Sequence, residues 1–149
     1  MTNQALLYQR CKSILERSKE SSDSTRLFHQ FPQTVQDAIA SKSRLGIEEM
    51  PIVCCSLDSD NWTLITSLQL ISCRDGHLVA LEWDKLSYAS PVEVGDLAKN
   101  PQLKLQRNKL RLEMSDGLEH ELALDPKTFH TFWKLIDVMM LTRGPQDSV

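Results

Sequence analysis

Asn61-Trp62-Thr63-Leu64-Ile65-Thr66-Ser67-Leu68-Gln69-Leu70-Ile71-Ser72-Cys73-Arg74-Asp75-Gly76-His77-Leu78-Val79-Ala80-Leu81-Glu82-Trp83 is the stretch on which the fold turns. Between Asn61 and Ser72 the even positions Trp62, Leu64, Leu68 and Leu70 are apolar, and between His77 and Trp83 the odd positions Val79, Leu81 and Trp83 are. A period of two marks antiparallel strands with one buried face. Asp75-Gly76 is a two-residue turn dipeptide, and closing it sets Arg74 opposite His77, Leu70 opposite Leu81 and Leu68 opposite Trp83. The register set by the turn therefore agrees with the register demanded by burial.

Working outward, the same alternation recurs. Leu103 and Leu105 point inward from Gln102–Gln106, and Leu110, Leu112 and Met114 from Lys109–Met114, with Arg107-Asn108 as the connection. A three-residue loop at Ser115-Asp116-Gly117, with Gly117 left-handed, pairs Met114 with Leu118, Leu112 with His120 and Leu110 with Leu122. Adding Pro51–Ser56 and Lys85–Ser90 gives about seven strands. Asp125-Pro126-Lys127 then offers an N-cap followed by proline at the first helical position. The helix it starts should reach Thr142, burying Phe129, Phe132, Trp133, Ile136, Met139 and Met140, with Gly144-Pro145 as its stop.

On the N-terminal side the period is helical. Leu7, Cys11, Ile14 and Leu15 define an amphipathic helix within Thr2–Lys19, and Ser18–Thr25 is a polar loop. Arg26–Phe31 is expected as a short helical piece, followed by a helix starting at Pro32 and running through Val35, Ala38, Ile39 and Ala40 toward Gly46. The predicted organisation is a helical extension over residues 1–47, a β-rich domain over 48–143 and a disordered tail over 144–149.

The element order resembles the pleckstrin-homology (PH) superfold: seven short antiparallel strands and a closing helix with a central tryptophan, here Trp133. Thr66–Ser72, Arg74-Asp75-Gly76-His77 and Leu81–Leu86 resemble the second to fourth strands of bacterial members. The resemblance spans about residues 50–143 and implies an α+β fold, a seven-stranded antiparallel barrel or sandwich capped by the C-terminal helix, with Trp133 packed against it. Family members that bind phosphoinositides hold the phosphates with Lys and Arg on the first two strands and their joining loop. Here no Lys or Arg occurs between Pro51 and Leu70, and the loop Ser56-Leu57-Asp58-Ser59-Asp60-Asn61 holds two acids. Membrane adaptation through anionic lipid is therefore disfavoured.

Charge and composition narrow the function further. A formal net charge of -3 over 149 residues argues against general nucleic-acid binding, which draws its affinity from cationic side chains. Met1–Leu15 has no secretion-signal pattern, so a cytoplasmic protein with reduced thiols is expected. Cys54 and Cys55 alternate in a strand and cannot clamp one metal together, and all four cysteines are expected as buried thiols. Glu119-His120-Glu121 in a strand places His120 opposite in direction to both acids, so no catalytic or metal-ligating constellation and no cofactor is expected. His120 is expected as a hydrogen-bonded core residue.

Two surfaces stand out. Glu48, Glu49, Asp58 and Asp60 bracket the first strand, whose exposed edge, Ile52-Val53-Cys54-Cys55, could accept a partner strand. Lys104, Lys109 and Arg111 form an outward basic face, with Arg111 expected between Glu121 and Lys104. The leading expectation is a non-enzymatic protein-binding module, with a basic partner favoured by the acidic balance. A bacterial immunity protein that neutralises a basic toxin is one concrete form of it.

Overall fold

The structure, a computed structural model, describes residues 3–92 and 109–143. Its helices are α1 (Asn3–Arg17), α2 (Gln33–Ser43) and α3 (Phe129–Arg143). Its strands are β1 (Thr25–Leu27), β2 (Pro51–Asp58), β3 (Asn61–Thr66), β4 (Gln69–Arg74), β5 (His77–Glu82), β6 (Leu86–Pro91), β7 (Lys109–Met114) and β8 (Glu119–Ala123). The fold is α+β, with a five-stranded antiparallel sheet in the order β1-β2-β3-β4-β5 and a three-stranded one in the order β6-β7-β8.

Both hairpin registers that the described residues include are present. Arg74 lies opposite His77 and Leu70 opposite Leu81, around a turn in which Asp75 (φ 52°) and Gly76 (φ 82°) are both left-handed. Leu112 lies opposite His120 and Leu110 opposite Leu122, with Gly117 at φ 91°. The strand expected at Gln102–Gln106, its Arg107-Asn108 connection and the tail from residue 144 lie outside the described residues.

One expected strand is two. Asn61–Ser72 breaks after Thr66, and β3 folds back on β4 with Ile65 opposite Leu70. Thr66 supplies the turn: its Oγ1 accepts hydrogen bonds from the amides of Leu68 (3.2 Å) and Gln69 (3.0 Å). The reversal flips the parity of the side chains. Trp62 and Leu64 therefore face one side of the sheet while Leu70 faces the other, and Leu68 is exposed at the turn.

Through β2, β3 and β4 the larger sheet is buried on both faces. Against its inner face lies the main core, where Val53, Cys55, Ile65, Leu70 and Leu81 meet Leu110, Leu112 and Leu122 of the smaller sheet and Phe129, Phe132, Leu135, Ile136 and Met139 of α3. Against its outer face, Cys54, Trp62, Leu64, Ile71 and Cys73 pack on Phe28, Phe31 and Ile39, the last from α2. Cys54 and Cys55 thus point to opposite faces, and all four cysteines are buried free thiols. Desolvation pushes the Cys11 thiol up to about 11 and raises those of Cys54, Cys55 and Cys73, so all stay protonated at neutral pH.

Residues 1–47 were expected as an extension, and several of them complete the domain. Thr25, expected to end the polar loop, and Arg26-Leu27, expected within a helical piece, instead pair with β2, Thr25 opposite Cys55 and Leu27 opposite Val53, and of Arg26–Phe31 only Phe28–Gln30 forms a single helical turn. The β-branched Thr25 and the apolar Leu27 alternate inward, which a strand satisfies and a one-turn helix does not. From α1, Leu7 and Cys11 enter the main core beside α3.

A closed barrel does not form. Among the described residues neither edge of the larger sheet pairs with an edge of the smaller one. A single helical turn at Trp83–Lys85 carries the chain from β5 to β6 and breaks the ladder there. Trp133, expected to pack against the sheets, does pack against the core but is only partly buried, its indole N–H enclosed and without a hydrogen-bond partner among the described residues. Phe132, at 0% exposure, occupies the centre instead.

The start of α3 is tied to the N-terminal third by hydroxyls. The Asp125 carboxylate accepts from the Lys127 amide (2.9 Å) and from Ser22 Oγ (2.6 Å), and Thr25 and Thr128 share a buried hydrogen bond of 2.7 Å. Burial alone would raise the Asp125 pKa, but the hydrogen bonds from Ser22, Lys127 and Ser24 outweigh it and hold the group below its usual range. A depressed folded pKa contributes stability that is complete above the unfolded value, about 3.9, and is lost as pH falls through the folded one. Melting temperatures between about pH 5 and pH 2 should accordingly fall more steeply in the wild type than in Asp125→Asn; parallel curves would refute this role.

Candidate functional site

The four acids do not form one surface. Glu48 and Glu49 precede β2, whereas Asp58 and Asp60 sit at its far end, where Asp58 lies opposite Asn61. Eight residues of strand separate the two pairs by about 25 Å. Glu49 is buried and turned inward: its carboxylate accepts from Thr66 Oγ1 (2.5 Å), Gln69 Nε2 (2.9 Å) and the Gly46 amide (3.3 Å). It anchors the turn that separates β3 from β4 and offers nothing to a partner. Glu48 is exposed, and its carbonyl accepts a hydrogen bond from Gln4.

Asp58 is exposed but internally engaged. Its carboxylate accepts from the Asn61 side chain (3.0 Å) and the Asp60 amide (2.8 Å), and these bonds lower its pKa. The Asp60 carbonyl receives the Gly76 amide at 3.1 Å, which brings the β2–β3 and β4–β5 turns together. The free edge expected at Ile52–Cys55 is absent, because β1 covers β2 on one side and β3 on the other. The alternation of β2 predicted a strand but could not reveal that a distant tripeptide pairs with it.

On the smaller sheet, Lys109 and Arg111 are exposed as expected. Lys104 lies outside the described residues, and the position beside Arg111 on its second side belongs to Ser90 of β6, 3.4 Å from the guanidinium. Glu121 lies opposite Arg111 in the ladder, yet its carboxylate pairs with Arg74 of the larger sheet at 3.4 Å, and Arg111 approaches Glu119 at 4.0 Å. Of this face, Arg111 is thus partly neutralised by Glu119.

The feature missed at the sequence level is a groove where the two sheets stand apart. It has a volume of about 430 Å³ and runs between the inner face of β4–β5 and strand β8. Val79, Leu81 and Leu122 supply its apolar surface, Ser72 a hydroxyl, and Arg74, Asp75, His77, Glu119, His120 and Glu121 its charged and titratable groups. His120 was expected as a hydrogen-bonded core residue. It is only partly buried and its ring makes no hydrogen bond among the described residues, since the groove leaves it without a facing strand. Among the described residues no three His, Cys, Asp or Glu side chains converge tightly enough to hold a metal ion, and no helix is long and apolar enough to cross a membrane.

No family model, curated protein or solved structure matches the chain.

Proposed function

We propose that this chain is a PH-like protein-binding module that acts without catalysis. The observation that carries the reading is the groove between the sheets, open to solvent, apolar at its base and bordered by an edge strand. Surfaces of that form suit an extended polypeptide better than a small polar substrate. Support for PH-likeness comes from β2–β5 in one sheet, β6–β8 in the other and α3 closing the core after the last strand.

A lipid-headgroup role draws no support from the loop between β2 and β3, where Asp58 and Asp60 stand without a nearby cluster of cations among the described residues. Lys42, the cation that reaches this loop, donates to the Ser59 carbonyl at 3.2 Å. A toxin-neutralising immunity protein is one form the module could take, with acidic groups steering a basic partner. The test is isolation of the full chain from its own cells at low salt, followed by native mass spectrometry. A stoichiometric protein complex is the expected result. Recovery of the chain alone, or its retention only on vesicles containing phosphoinositide, would overturn the reading.

A further inference from the structure

β8 is an edge strand, paired with β7 on one side only among the described residues. The Met114 amide donates to the Leu118 carbonyl at 2.8 Å, which makes that pair hydrogen-bonded and fixes the phase of the ladder. Antiparallel alternation then turns the backbone groups of His120 and Leu122 toward β7, and those of Glu119, Glu121 and Ala123 away from it. Four successive β8 residues, Glu119 to Leu122, line the groove, so the unpaired edge opens directly into it.

The side chains around that edge specify an occupant. Below it, Val79 and Leu81 present apolar surface from the larger sheet. On the solvent side, Glu119 and Glu121 stand on the face of β8 where a new neighbouring strand would place its own outward residues. One arginine, Arg74, lines the groove against three carboxylates, those of Asp75, Glu119 and Glu121. The ion pairs Arg74–Glu121 and Arg111–Glu119 join side chains that are 39–53% exposed, so they are weak and exchangeable for pairs with an incoming cation.

From this geometry we infer that the groove receives an extended basic segment of a partner protein, added antiparallel or parallel to β8 as a fourth strand of the smaller sheet. Alternate side chains of the segment are apolar and cover Val79 and Leu81; those between them are Lys or Arg and pair with Glu119 and Glu121. The inference rests on the protein-binding reading and assigns that reading a site and a partner chemistry. It also accounts for Arg74 reaching across the groove mouth to Glu121: in the free chain the pair satisfies the acid that an incoming cation would otherwise meet.

The probe is an end-blocked octapeptide alternating valine and lysine, titrated into the isotope-labelled full chain at low salt, with a valine–glutamate octapeptide as comparison. Saturable amide shifts and slowed hydrogen exchange at Glu119, Glu121 and Ala123 are expected with the lysine peptide, weakening as salt is raised. The E119Q/E121Q variant should bind at least about tenfold more weakly. Glu121→Pro removes an outward N–H and no bond to β7, so it should abolish binding while Glu121→Gln keeps part of it. Should Glu121→Pro fail to fold, E119Q/E121Q decides, since it leaves every backbone group in place. Equal binding of the glutamate peptide, shifts confined to other elements, or unchanged affinity in either variant overturns the inference. A native partner that binds wild type and folded Glu121→Pro equally overturns this docking mode and leaves protein binding standing; the absence of any protein partner overturns both.

Discussion

Phe132→Ala is expected to lower folding stability by about 3–5 kcal/mol, read as a fall in denaturation midpoint at unchanged m-value. Phe132 is fully buried in the main core, where α3 meets both sheets, so truncation to Ala leaves a cavity among buried neighbours. The comparison with its neighbour makes the expectation specific. Trp133 is larger but partly exposed, so Trp133→Ala removes less buried surface. Its indole N–H is enclosed without a partner among the described residues, and Trp133→Phe relieves that group while keeping most of the ring's contacts. The expected order of damage is Phe132→Ala, then Trp133→Ala, then Trp133→Phe near neutrality. A greater loss from Trp133→Ala than from Phe132→Ala would show that the tryptophan closes the core after all.

The second large effect is expected at Trp83, where Ala should again cost about 3–5 kcal/mol. Trp83 is 1% exposed and stands at the passage from β5 to β6, so its ring fills the angle between the sheets. It also donates its indole N–H to the Thr66 carbonyl at 2.9 Å. The residue opposite Thr66 is Pro51, which has no N–H to give. Trp83→Phe preserves most of the volume and deprives that carbonyl of its indole donor, at a cost of about 1–3 kcal/mol. If Phe at this position proved as stable as Trp, the hydrogen bond would be dispensable and packing alone would explain the residue.

These two sites also mark how far the sequence could be followed. The Asp75-Gly76 and Ser115-Asp116-Gly117 turns were legible because their residue types favour left-handed backbone, and the strand pairs set by them, Leu70 with Leu81 and Leu110 with Leu122 among them, are present, although Leu68 is exposed. The Thr66–Gln69 reversal was not legible, because no glycine, proline, asparagine or aspartate announces it. It depends on a threonine hydroxyl and on Glu49, which comes from a segment 17 residues away. The alternation of Asn61–Ser72 looked continuous since both faces of the sheet are buried and apolar residues are welcome on either.

The same limit applied to the candidate site. Glu49 looked like a surface acid because burial of a carboxylate leaves no trace in local spacing; its three hydrogen-bond donors come from Gly46, Thr66 and Gln69. β1 is three residues long, too short to declare a period, yet it removes the free edge expected on β2. The groove beside β8 arises from the relative placement of two sheets, a tertiary property that no single segment encodes. Glu119 was in view only as a neighbour of His120 and Glu121 also as a neighbour of Arg111, and what gives them meaning is that their own backbone groups face away from β7.

The pairing of α1 with α3 sets the order in which the chain can be completed on the ribosome. Cys11 Sγ lies 3.9 Å from Met139 Sδ, and Arg10 donates to Thr142 Oγ1 at 3.1 Å, contacts that span 128 and 132 residues. At about 5–20 residues per second, α1 therefore waits roughly 6 to 26 seconds after synthesis before its partner helix exists. Until then Leu7 and Cys11 lack the α3 side of their core, while the hairpins and the second core under α2 can assemble as they are made. α3 is thus made after both sheets, and a nascent chain halted before Asp125 would hold the inner face of the larger sheet against the smaller sheet but without its α3 cover.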